Sequence, residues 1–180
     1  MRTYEAVVEA VLATEQIQSF VTSRRPELDI DLGGIPGDRH YGLLRAADSR
    51  QRFYRRGTMI ANRRQLSLLA AEECDVVASA LGVPELRPEW LGANVLLRGY
   101  PSLTMLPQGA RLIFASGAGL IGEGENEPCI GPGQVIAEAY GRPELARRFV
   151  KAAMQKRGIV ASVELPGTIR EGDRVTIMIP

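Results

Sequence analysis

The apolar residues of this 180-residue chain fall in many short runs, with no repeating strand–helix–strand order of the kind a doubly wound parallel sheet needs. "YEAVVEAVLAT", residues 4–14, reads as a strand, although its alanines leave a helix open, and "QSFVTS" reads as a second strand. "DIDLGGIPGDRHYG" runs from a short alternating piece into a glycine-punctuated loop, and residues 45–58 form a polar, arginine-rich excursion without a period. "RQLSLLA" starts as a strand and leads into a helix over roughly 70–81, where Cys74, Val77 and Leu81 make an apolar face that Gly82 and Pro84 bring to an end. "GANVLLRG" and "ARLIFAS" are strands separated by the turns of "YPSLTMLPQG", while "QVIAEAYG" fits either period. A second helix begins after Arg142, with Pro143 in its first turn and Leu145 and Phe149 on one side. The chain closes as strand, turn, short strand, turn and strand. At least seven short strands and two helices predict a mostly β fold: a strongly curved, barrel-like sheet with helices packed at its edge, in one domain spanning 1–180.

Charge narrows the function classes. The formal net charge is +1, which offers no global attraction to nucleic acid or membrane, and no stretch approaches 18 apolar residues. The N-terminal "MRTYEAVVEAVLATEQ" has no apolar run with a cleavage site, so no signal peptide is expected. Two cysteines allow one disulfide by count but match no disulfide scaffold or zinc signature, and a reducing, cytoplasmic setting is expected. The positive charge is clustered: residues 39–64 hold eight arginines against Asp48. Nucleic-acid binding would need interleaved aromatics, for which Phe53 and Tyr54 alone qualify, so it is not expected; a solvated loop face and a site for a small anionic ligand both stay open.

Two segments can carry chemistry. In "GEGENEPCIGPGQ", Cys129 lies between a proline and glycines, a stretch that reads as neither strand nor helix. Such a loop frees backbone N–H groups to converge on an anion or thiolate, and a thiolate suits a metal centre, a persulfide or covalent attack. The bland alternative is an inert buried thiol. Cys74, by its helical spacing, belongs to the core. In "GGIPGDRHYG", Asp38 can orient His40 or clamp Arg39, Arg39 can meet a phosphate in bidentate fashion, and His40 is the only histidine available as a neutral-pH proton shuttle. A purely structural turn is the other reading. Asn94, in "EWLGAN", either holds a polar ligand atom or caps a turn.

In chain order, "GIPGDRHYG", "RRQLSLLAAEE", "LRPEWLGANVLLRG", "LPQGARLIF", "EPC" followed by glycines, and "GTIREGDRV" resemble the MOSC domain, found at the C-terminus of molybdenum cofactor sulfurases and as free-standing bacterial proteins. The similarity spans roughly residues 5–179. It implies a β-barrel-like domain with flanking helices. Cys129 matches the family's cysteine, which ligates molybdenum or is proposed to carry sulfur; Gly37, Asp38 and His40 match its "GDxH" turn, Asn94 its "GxN" position, and Arg64 the arginine opening the "RQ" strand. The resemblance thus implies a molybdopterin cofactor, with Cys129 as metal ligand and with Gly37, Arg39, Arg64, Asn94 and Gly131 around it, and with Asp38 and His40 orienting a ligand or moving a proton. The expected activity is reduction of N-oxygenated compounds with electrons from a donor protein. The alternatives are sulfur transfer through a Cys129 persulfide supplied by a sulfur-donor protein, or a cofactor-binding module without turnover. Pyridoxal phosphate also accompanies the family, but no lysine here sits in a recognisable context for it, and it is not expected.

Overall fold

The structure, a computed structural model, describes residues 1–14 and 16–180. Twelve strands follow one another as β1 Arg2–Ala13, β2 Ser23–Arg24, β3 Glu27–Ile30, β4 Leu44–Ala46, β5 Met59–Ala61, β6 Leu66–Ala70, β7 Val95–Arg98, β8 Arg111–Phe114, β9 Gly119–Glu125, β10 Ile159–Leu165, β11 Gly167–Arg170 and β12 Arg174–Ile179. Three α-helices, α1 Ala71–Leu81, α2 Ile130–Tyr140 and α3 Leu145–Ala152, are interspersed with two short 3-10 turns at Pro88–Leu91 and Leu103–Met105.

Seven strands close into a barrel in the order β12-β8-β9-β10-β6-β7-β1, with β1 returning to pair with β12. β1 makes the closure because it is long enough to serve two neighbours. Its first half pairs with β12, from Arg2 opposite Ile179 to Val7 opposite Arg174, and its second half pairs with β7, from Val7 opposite Arg98 to Val11 opposite Val95. A bulge between Val8 and Ala10 interrupts the second ladder. One extra residue there reverses the side-chain parity. Ala6 and Val8 face the barrel interior before it and Val11 and Ala13 after it, while Ala10 and Leu12 turn outward beneath the helices.

The result is two apolar layers. The barrel lumen is filled by alternate residues of each strand, among them Leu66, Leu68, Leu97, Leu112, Phe114, Leu120, Ile159 and Ile177. On one wall, Leu12, Leu69 and Leu96 point the other way and meet Cys74, Val77 and Leu81 of α1, Ile136 of α2, and Leu145 and Phe149 of α3. Strands buried on both faces have no polar alternation, which is why "NVLL" and "LSLLA" are nearly continuous apolar runs. β6, α1 and β7 form a single parallel crossover unit in an otherwise antiparallel barrel.

Several elements differ from the sequence reading. "QSFVTS" contributes only Ser23 to a strand, pairing with the end of β1. "GLIGEGE", glycine-rich and missed as a strand, is β9. The arginine-rich excursion is the arm of a small hairpin, β4 against β5. "QVIAEAYG" is the body of α2, so the helices are three; Gly141 caps it in the left-handed region at φ 61°. The "CIGPG" segment is the beginning of that same helix, with Cys129 as its N-cap. Gly133 is glycine for a tertiary reason: a Cβ there would run into the backbone carbonyl of Ala146 in α3.

Candidate functional site

Residues 33–42 turn sharply beneath the barrel rim. Asp31 and Gly34 exchange backbone hydrogen bonds, and Gly37 takes φ 84°, a conformation that favours glycine. The turn buries the Asp38 carboxylate, 6% exposed, and leaves the His40 ring partly open. Asp38 Oδ1 accepts from the His40 backbone N–H at 2.9 Å and lies 3.2 Å from His40 Nδ1, while Oδ2 accepts from the Thr14 N–H at 3.1 Å and faces Asn94 Nδ2 at 3.5 Å. Burial pushes the Asp38 carboxyl up, but the His40 ring and the two backbone N–H groups more than offset it, so Asp38 stays below its ordinary value and ionised. A carboxylate only accepts. The proton of a neutral His40 therefore belongs on Nδ1, which leaves Nε2 as the ring's acceptor.

Cys129 lies across from this turn because α2 begins there. Its sulfur is exposed and makes no capping bond. Arg64, just before β6, donates through Nη2 to Asn126 Oδ1 at 2.8 Å, and Asn126 Nδ2 donates in turn to Ser67 Oγ at 3.2 Å. Burial, with the neighbouring cations Arg50 and Arg45, lowers the Arg64 pKa to about 10, still protonated at neutral pH. Arg45 and Arg50 come from the β4–β5 hairpin, where both reach Asp48 Oδ2, at 2.7 and 3.2 Å. Arg157, in the connection between α3 and β10, is 6% exposed. Its Nη2 donates to the Leu91 carbonyl oxygen, and its Nη1 is buried without a partner. Burial lowers its pKa to about 10, still protonated at neutral pH.

These groups share one cleft of about 570 Å3. Cys129, His40, Arg39, Arg64 and Gly131 line it, together with Arg45, Arg50 and Arg157, so five arginines face it against Asp48 and Glu127. The remaining residues singled out from the sequence lie outside its wall. Gly37 shapes the turn. Asp38 is one step back, behind His40. Asn94, 2% exposed, ties three segments together: its Oδ1 accepts from the Ser67 N–H at 2.9 Å and its Nδ2 donates to the Leu12 carbonyl at 3.2 Å. Sequence reasoning missed Arg157, Asn62 and Asn126. Asn62 Nδ2 donates to the carbonyls of His40 and Gly42, at 2.8 and 3.0 Å, and so holds the turn against the hairpin. Cys74 is buried in α1, and burial drives its thiol up to about 12, leaving it chemically inert.

The structure is thus a closed, mostly β barrel with an exposed thiol and five arginines on one cleft. The MOSC domain model matches residues 39–176, and the chain belongs to the MOSC family. It is 52% identical over 161 residues to YuaD of Bacillus subtilis (strain 168), described as a putative metal-sulfur cluster biosynthesis protein, with 89% of this chain and 84% of that one covered. The crystal structure of Bacillus subtilis YuaD superposes with a TM-score of 0.94 at 48% identity, over 98% of this chain and 97% of that one. YiiM from Geobacillus stearothermophilus shares the fold at TM-score 0.63 and 12% identity, covering 97% of this chain and 75% of its own.

The donors in the cleft set a condition on any metal. Among the described residues, no three His, Cys, Asp or Glu side chains gather to chelate an ion. A metal held here would have to bring ligands of its own. The molybdenum cofactor meets that condition, since its pterin supplies the dithiolene and its phosphate suits arginines. The unpartnered Arg157 Nη1 is a further donor with no acceptor from the protein.

Proposed function

We propose that the cleft receives a pterin-type molybdenum cofactor and that the protein reduces N-oxygenated compounds with electrons from a separate donor. The observation that carries this reading is one exposed thiol, Cys129, opening onto a cleft that five arginines line. Cys129 would give its thiolate to the metal. Arg39, Arg45 and Arg50, on the turn and hairpin side, would hold the phosphate, whose charge they neutralise in a partly desolvated setting. When bound, the cofactor supplies two-electron, oxygen-atom chemistry. His40, kept in one tautomer by Asp38, moves a proton at the oxygen leaving the substrate through Nε2.

The test is composition first and turnover second. Protein made in a host that synthesises the cofactor should contain molybdenum and pterin in equal amounts with the chain, and Cys129→Ser should lose the metal while keeping its fold. Metal retained in full by that variant would overturn the assignment of Cys129.

A second reading, sulfur carriage, has its own support. Cys129 is free and exposed and shares its cleft with a buried guanidinium with an unused donor, and the Bacillus relative is named for metal-sulfur cluster biosynthesis. In this reading Cys129 accepts a sulfur atom as a persulfide and passes it to a bound acceptor.

A further inference from the structure

Cys129 is followed by the first turn of an 11-residue helix, whose opening N–H groups have no helical acceptor. A helix start beside a cysteine is not by itself a site. The second observation is independent of it. Arg157 belongs to the wall of the same cleft, is 6% exposed, and keeps Nη1 buried with no hydrogen-bond partner. Cys129 lines the same cleft as this guanidinium. Arg64 stands on the same cleft, anchored through Nη2 to Asn126. Donors suited to an oxyanion therefore share one cleft with a soft nucleophile.

Resting on the sulfur-carriage reading, we propose that Arg157, Arg64 and the N–H groups of Ile130 and Gly131 bind the sulfonate end of a thiosulfate-class donor, and that Cys129 takes its outer sulfur. Such a donor matches both halves of the site. Its three oxygens carry the negative charge that an unpaired guanidinium and a helix start accept, and its terminal sulfur is the atom a thiolate attacks. A phosphate has no such sulfur, and an uncharged organic persulfide has no oxyanion.

The step balances without an outside redox partner. The Cys129 thiol gives its proton to solvent, and the thiolate sulfur bonds to the outer sulfur of thiosulfate. The S–S bond of thiosulfate breaks, its electron pair leaves with sulfite, and Cys129 becomes a persulfide anion. One S–S bond replaces another and three negative charges stand on each side. Charge grows on the departing sulfite, which Arg157 and the helix N–H groups would stabilise.

The experiment uses the reduced full chain with sodium thiosulfate, and separately with inorganic polysulfide, which has no oxygens. Sulfite release and the intact mass are followed. Thiosulfate is expected to release sulfite and add ~32 Da at Cys129 in peptide maps. Cys129→Ser should show neither. Arg157→Met should slow thiosulfate loading by about tenfold or more and polysulfide loading by much less, with Arg157→Lys intermediate. Sulfate should compete with thiosulfate on the unaltered protein and leave polysulfide loading alone, which keeps the test decisive if the Arg157 variants fold poorly. Loading by polysulfide alone would overturn the donor class and leave sulfur carriage standing. Loading by neither reagent would remove sulfur carriage as well. Thiosulfate loading indifferent to both sulfate and Arg157 would overturn the oxyanion pocket.

Discussion

The two cysteines differ only in what surrounds them. Cys74 is packed into α1 against the barrel and its thiol is pushed up to about 12, whereas Cys129 is exposed at the start of α2. Iodoacetamide at pH 8 is expected to modify Cys129 in the folded protein and to reach Cys74 only after unfolding, as peptide mass mapping would show. Asp38 makes a second prediction at this scale. Burial raises its carboxyl, the hydrogen bonds with His40 and Thr14 outweigh that, and the net shift is downward. A carboxyl lowered by folding stabilises the fold above the ordinary carboxylate range, and that contribution is lost as the pH falls through the lowered folded value. Asp38→Asn should therefore cost roughly 1–3 kcal/mol at neutral pH in urea unfolding, and should flatten the loss of stability on acidification. Both residues stood out in the sequence, Cys129 by its odd neighbours and Asp38 by the four glycines of its turn. Arg157 did not. It is one basic residue in an arginine-rich stretch, and its meaning comes from β10 lying between β6 and β9, a placement no local pattern announces.

At the scale of elements, α2 decides the site, because its first turn delivers Cys129 and Gly131 to the cleft. That turn resembles a loop in sequence because two glycines and a proline occupy it. One of those glycines is there for packing: Gly133 lets α2 approach α3, and any side chain would meet the Ala146 backbone. The other is not so constrained, since a Cβ at Gly131 would come to 3.4 Å from the Phe20 ring, an ordinary contact. Gly133→Ala is thus expected to destabilise the protein by roughly 1–3 kcal/mol and to shift the reactivity of Cys129, while Gly131→Ala should change stability by about 0.5 kcal/mol or less. Thermal unfolding of the two variants side by side measures the difference. α1 and α3 were legible from apolar spacing and from Gly82 and Pro143. α2 and β9 were not, because glycines interrupt the apolar pattern of both, Gly133 for close approach to Ala146 and Gly124 at a positive φ.

For the molecule as a whole, the near-neutral charge conceals a strong local imbalance, five arginines on one cleft. Tetrahedral oxyanions should therefore raise the melting temperature beyond what chloride does at equal ionic strength. Linkage gives about 2.7 kcal/mol at a hundredfold excess over Kd, and the effect should shrink in Arg157→Met. The barrel itself was readable as a tally of short strands and turns. Its closure was not, because it depends on β1 pairing with two distant strands in turn, β12 up to Val7 and β7 from Val7 onward, with a bulge between Val8 and Ala10 that reverses its facing.

The pairing of β1 with β12, Arg2 opposite Ile179, also sets a timetable. On the ribosome, β1 waits with one edge unmatched until β12 has been made. The finished sheet, and with it a rigid floor under the thiol, can be reached only after synthesis has passed that distant partner, so the reactive sulfur exists for a time on a chain that cannot yet use it.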